Sequence, residues 1–65
     1  MRAREVLQKL KADGWCEDSQ KGSHLHLIHP TKSGKVTVPV HGGKDISPMT
    51  LRLIERQSGL RLRPG

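Results

Sequence analysis

The run Gln20-Lys21-Gly22-Ser23-His24 sets a histidine just after a glycine-permitted turn, with a lysine immediately before that turn. A second group, Val38-Pro39-Val40-His41-Gly42-Gly43-Lys44, again places a histidine close to glycine and lysine. Imidazole has an ordinary pKa near neutrality, so it takes up and releases protons at physiological pH. Gly22 lets the backbone approach a phosphate, the amides of Gly22 and Ser23 can donate to its oxygens, and Lys21 supplies charge. These types at this spacing point to proton transfer beside a phosphate. Were that phosphate part of RNA, the substrate would bring its own nucleophile, the 2′-hydroxyl. Cleavage without a metal then needs a base for that proton, an acid for the leaving 5′-oxygen and positive groups around the phosphorane. The expected products are a 2′,3′-cyclic phosphate and a 5′-hydroxyl.

His24 reads either as a solvated strand histidine, the commoner case for such a residue taken alone, or as a proton carrier. His41 reads either as loop scaffold or as a second carrier. Gly42-Gly43-Lys44 offers a further phosphate contact near the start of a second helix, with Asp45 opposing it. His26 reads as a surface strand residue, and His29, before Pro30, as one that shapes a hairpin or caps a carbonyl. Cys16 and the histidines would suffice in number for zinc. However, His24-x-His26 on one strand and a single cysteine match no usual zinc spacing. The acids Asp13, Glu17, Asp18 and Asp45 are scattered along the chain. No metal and no other cofactor is expected.

Twelve basic against 6 acidic side chains give a net charge of +6 on 65 residues. Such a surplus favours a polyanionic partner, nucleic acid or an acidic protein. Trp15 is the only aromatic residue and reads as core. Modules that read single strands by stacking use several aromatics, so contact centred on the RNA backbone is expected. The single cysteine fits a reducing cytoplasm. No apolar run is long enough for a transmembrane segment or a signal-peptide core. The length predicts one domain with a thin core, burying roughly 60% of the surface its unfolded chain exposes.

The elements that must position these residues follow from periodicity. Ala3, Val6, Leu7 and Leu10 form a helical stripe, predicting a helix over Arg2–Ala12 ended by Asp13-Gly14. Trp15–Gln20 reads as a weak strand and Lys21-Gly22 as a turn. His24–His29 alternates, with Leu25 and Leu27 opposite His24 and His26, although Ile28 blurs which face meets the core. Pro30–Gly34 is a hairpin loop. Lys35–Val40 is the clearest strand, and Pro39 either puts it at a sheet edge or ends it. Ser47 is a good N-cap with Pro48 behind it, and Ile46 and Leu51 have the spacing of a hydrophobic staple. The second helix is predicted over Pro48–Ser58, stopped by Gly59, with Leu53 off its apolar stripe. The last residues, Leu60–Gly65, read as a frayed basic tail. The order α-β-β-β-α predicts an α+β fold: a three-stranded antiparallel sheet with two helices on one face.

The succession Gly14-Trp15, Gln20-Lys21-Gly22-Ser23-His24, His29-Pro30, Val36-Thr37-Val38-Pro39-Val40-His41, Thr50-Leu51-Arg52 with Ile54, and Gln57-Ser58-Gly59-Leu60 resembles the HicA toxins of bacterial toxin–antitoxin systems. The likeness runs from the first helix to Leu60. Its strength lies in the distance from Gly-Ser-His to Val-Pro-Val-His and to the second helix. The resemblance implies an mRNA-cleaving ribonuclease of the bacterial cytoplasm with a double-stranded-RNA-binding-domain-like fold. It also implies a catalytic histidine in the Gly-Ser-His position, here His24, and a HicB-like antitoxin as partner in a hetero-oligomer. An acidic antitoxin suits the +6 charge, with Leu53 as candidate anchor and Arg52 beside it. Ser19 stands where members commonly carry arginine, and Leu27 where an aromatic is usual. A non-catalytic RNA-binding module of the same fold is the alternative function, separated from the first by His24→Ala.

Overall fold

The computed structural model, which describes residues 1–40 and 42–63, orders the chain as α1 (Ala3–Ala12), β1 (Cys16–Lys21), β2 (His24–Ile28), β3 (Val36–Pro39) and α2 (Pro48–Ser58). The expected α-β-β-β-α order holds. The strands form one antiparallel meander, β1-β2-β3. Leu25 and Leu27 of β2 and Val36 and Val38 of β3 point to one face and are buried with Val6 and Leu10 of α1 and Leu51 and Ile54 of α2. His24, His26, Thr37 and Pro39 alternate onto the other face, which no helix covers. Ile28, the residue that blurred the pattern, stays on this open face, 40% exposed.

Each strand is shorter than, or offset from, its predicted span. β1 starts at Cys16 rather than Trp15, because the Trp15 ring is driven into the core. β2 ends at Ile28 because His29 turns inward. β3 runs only from Val36 to Pro39. The β1–β2 register slips by one residue between Glu17 and Ser19, a bulge at Asp18. β3 is an edge strand, as Pro39 requires. Thr37 and Pro39 are the positions whose nitrogens face away from β2. The Gln57 side chain accepts from the Thr37 amide at 3.2 Å, and Pro39 has no amide to leave unpaired.

The helix ends are closed by side chains from distant segments. Asp13 and Gly14 end α1, with Gly14 at φ 108°. A Cβ at Gly14 would lie 2.8 Å from His29 Nε2, so glycine is required there twice over. Ser47 caps α2 by accepting from the Thr50 amide at 3.2 Å. Lys32, in the β2–β3 loop, donates to Asp13 Oδ2 at 2.6 Å and to the Ser58 carbonyl at 3.1 Å, so one cation ties the C-terminal ends of both helices together. At the other end of the molecule, the Ile46 amide donates to the Met1 carbonyl at 2.7 Å, and Arg2 bridges Asp45.

The expectation of a frayed tail is corrected as far as Arg63. Leu62 is 6% exposed and belongs to the core. The Glu55 carboxylate accepts from the Leu62 amide at 2.7 Å, the Arg63 amide at 3.0 Å and Arg63 Nε at 2.9 Å. These bonds hold the Glu55 carboxyl below the usual carboxylate range, the Arg63 amide contributing most and the Leu62 amide next. Pro64 and Gly65 lie outside the described residues.

Candidate active site

The β1–β2 hairpin builds the site from its turn. Lys21 pairs with His24 across a two-residue loop, Gly22-Ser23. Gly22 has φ 60°, while no non-glycine residue has positive φ. That is the φ pattern of a type II′ turn, which wants glycine at its first central position. Gln20 Nε2 donates to the Gly22 carbonyl at 3.1 Å, and the Val40 amide donates to the Ser23 carbonyl at 2.7 Å. The turn is therefore held from its own strand and from the end of β3. Among the described residues, no hydrogen bond occupies the amides of Gly22 or Ser23. A Cβ at Gly22 would meet nothing, so space remains around the turn.

His24 is exposed at the head of β2, with Lys21 facing it on one side and Pro39 on the other. Directly opposed residues share a face, so Lys21 and His24 project together from the open side of the sheet. Pro39 also borders a hollow of about 250 Å³ whose wall includes Lys44, Ser47 and Thr50. The structure thus brings together Lys21, Gly22, Ser23 and His24, with Lys44 reaching the same end of the sheet past Pro39. His41 lies outside the described residues. Arg52 and Leu53 lie away from His24, on the outer surface of α2. There they line a hollow of about 340 Å³ with Met49, Thr50 and Arg56. Leu53 is 51% exposed, as its position off the apolar stripe predicts.

Five of the six acids of this basic chain are engaged elsewhere, while the sixth, Asp45, lines the hollow beside Lys44. Glu17 pairs with Lys11 at 2.6 Å, Asp13 with Lys32 at 2.6 Å, Asp18 with Lys35 at 3.5 Å and Glu55 with Arg63 at 2.9 Å. Glu5 turns back to accept from the Arg2 amide at 3.0 Å, which lowers its pKa. The Asp13 carboxyl is likewise held low, chiefly by its bond from Lys32. None of the ion pairs among the described residues uses Lys21, Lys44, Arg52 or Arg56. Nor, among the described residues, does any use Arg2, Arg4 or Lys9, so uncompensated positive charge lies along α1 as well as beside His24 and on the exposed side of α2.

Two further histidines acquire partners that local sequence does not reveal. His29 is nearly sealed, with its ring edge-on to Trp15 at a centroid separation of 5.1 Å. Its Nε2 lies 2.7 Å from the Asp13 carbonyl, and its Nδ1 accepts from the amides of Thr31 and Lys32 at 3.1 and 3.0 Å. Those partners require a neutral ring with the proton on Nε2. The expectation that His29 shapes the hairpin or caps a carbonyl describes what it does. His26 is half-buried on the open face, its Nδ1 2.9 Å from Thr37 Oγ1. Its cross-strand register is the signal, and that register exists only once β2 and β3 are paired. Among the described residues, no three histidine, cysteine or acidic side chains converge on one point. No helix among them is long and apolar enough to cross a membrane.

Comparison with curated proteins finds no match. The family described as HicA toxin of bacterial toxin–antitoxin matches residues 3–60, from the first residue of α1 to the residue after the cap of α2. On that match over most of its length, the chain belongs to the HicA family of toxins.

Proposed function

We propose that this toxin is an endoribonuclease that cleaves mRNA by histidine acid–base chemistry, and that a HicB-like antitoxin silences it. The observation that supports this most is the setting of His24. Its ring is exposed beside a glycine turn with free amides, on the same face as Lys21, which has no acidic partner among the described residues. A scissile phosphate seated on the Gly22 and Ser23 amides would place the adjacent ribose hydroxyl within reach of the imidazole. Lys21, with Lys44 from beyond Pro39, would oppose the charge that builds on the phosphorane. His24 takes the 2′-hydroxyl proton, the 2′-oxygen attacks phosphorus, and the 5′-oxygen leaves.

The antitoxin contact is assigned to the outer face of α2, where exposed Leu53 offers an apolar anchor and Arg52 a charge for an acidic partner. The direct test is inducible expression of wild type and His24→Ala in bacteria, each with and without the HicB-like protein. Wild type alone is expected to arrest growth and produce RNA fragments ending in a cyclic phosphate, and co-expression of the antitoxin to relieve both. His24→Ala at equal abundance is expected to do neither. Arrest by His24→Ala as strong as by wild type would favour a non-catalytic RNA-binding module.

A further inference from the structure

Cleavage by this route needs a second proton carrier for the leaving 5′-oxygen, on the opposite side of the phosphate from the base. We propose that His26 is that general acid. The assignment rests on the ribonuclease reading of His24. The two rings project from the same face of β2, with one residue between them. A strand rise of about 3.3–3.4 Å per residue puts their Cα atoms roughly 6.7 Å apart. The two ring nitrogens must be set further apart than the sum of two hydrogen bonds of about 2.6–3.2 Å, and side chains pivoting from Cα atoms at this spacing can splay to flank a phosphoryl group.

Thr37 sits directly opposite His26 on β3, and its Oγ1 lies 2.9 Å from His26 Nδ1. The hydroxyl can accept from Nδ1–H in the imidazolium and also in the neutral Nδ1–H tautomer left after Nε2 gives up its proton. One hydrogen bond therefore orients the ring throughout the transfer and leaves Nε2 as the working atom. His24 has no such tether among the described residues. The charged groups on this face are Lys21, opposite His24, and the Asp18–Lys35 pair, 3.5 Å apart, on the side of His26 away from Lys21. Ser19, opposite His26 on β1, is neutral, and no helix packs on this side.

In the step itself, the 2′-oxygen forms its bond to phosphorus as the bond from phosphorus to the 5′-oxygen breaks. His24 receives the 2′-hydroxyl proton and His26 Nε2 supplies a proton to the departing 5′-oxygen. The products are the cyclic phosphate and the free 5′-hydroxyl. The two rings end with exchanged protonation states, which water restores.

The test uses a short oligoribonucleotide with one cleavage site mapped by the wild-type protein, and the same oligonucleotide with sulfur replacing the bridging 5′-oxygen at that site. A thiolate leaves without protonation, so it bypasses a general acid. His26→Gln is expected to slow cleavage of the all-oxygen substrate by about 10²-fold or more, to lose the alkaline limb of its pH–rate profile, and to cleave the sulfur substrate at close to the wild-type rate. His24→Gln is expected to be slow on both. Thr37→Val keeps the ring and removes its tether, so it should show the His26→Gln pattern at smaller amplitude. Equal losses on both substrates for His26→Gln, or no loss on either, would overturn the assignment. Selective rescue of His41→Gln instead would overturn the assignment in favour of His41. If the wild-type protein cleaves no oligoribonucleotide, so that no site can be mapped, the ribonuclease reading itself is overturned.

Discussion

His24 and His29 sit at opposite ends of β2 and meet opposite surroundings. His24 is exposed beside a lysine, whereas His29 has both ring nitrogens occupied by backbone partners and only 8% of its side chain exposed. Truncating His29 would strand the Asp13 carbonyl and the amides of Thr31 and Lys32, and would open a gap against Trp15. Each stranded buried group costs about 1–3 kcal/mol, less where water reaches it. His29→Ala is therefore expected to destabilise the fold by roughly 2–4 kcal/mol, lowering the melting temperature by at least about 8 °C for a domain of this size. Thermal unfolding followed by circular dichroism measures it, and a variant melting within about 2 °C of wild type would contradict the role. The two imidazoles differ only in the partners that folding gives them. Gly-Ser-His points to His24 because a turn is local, whereas the Nε2 partner of His29 comes from the end of α1.

At the level of elements, the helices were readable because their signals are local. The stripe of Val6 and Leu10, the Ser47-Pro48 start and the Gly59 stop each act within a turn of the residues they mark. Pro39 marked an edge strand for the same reason. The C-terminal segment was not readable. Leu60-Arg61-Leu62-Arg63 has the composition of a solvated tail, and its docking depends on Glu55, a residue that reads as an ordinary surface position of α2. Because the Glu55 carboxyl is held below its usual range, it contributes stability that is fully present above the ordinary carboxylate pKa. That contribution is lost as the pH falls through the lowered value. Glu55→Gln should therefore melt below wild type at neutral pH, and the gap should narrow as the pH drops below about 4. Melting curves across pH 2–7 test this, and a gap that stays constant would show that charge on Glu55 is not what docks the tail.

For the molecule as a whole, the sequence announced a cation surplus but not its distribution. Four of the acids are paired with Lys11, Lys32, Lys35 and Arg63, and this leaves Lys21 and Lys44 without acidic partners at the end of the sheet that carries His24. The pairings depend on packing that brings distant segments together, Asp13 to Lys32 and Glu55 to Arg63, so composition alone could not locate the free charge. The open face of the sheet carries Lys21 together with the exposed imidazole, and the chemistry proposed for it requires the nucleophile to come from the RNA. The most direct measurement is cleavage of a mapped oligoribonucleotide in which only the ribose before the scissile phosphate lacks its 2′-hydroxyl. The account predicts that this single deletion abolishes cleavage at that site, while the unmodified strand yields a 2′,3′-cyclic phosphate end. Cleavage of the deoxy-substituted site at the unmodified rate would contradict it.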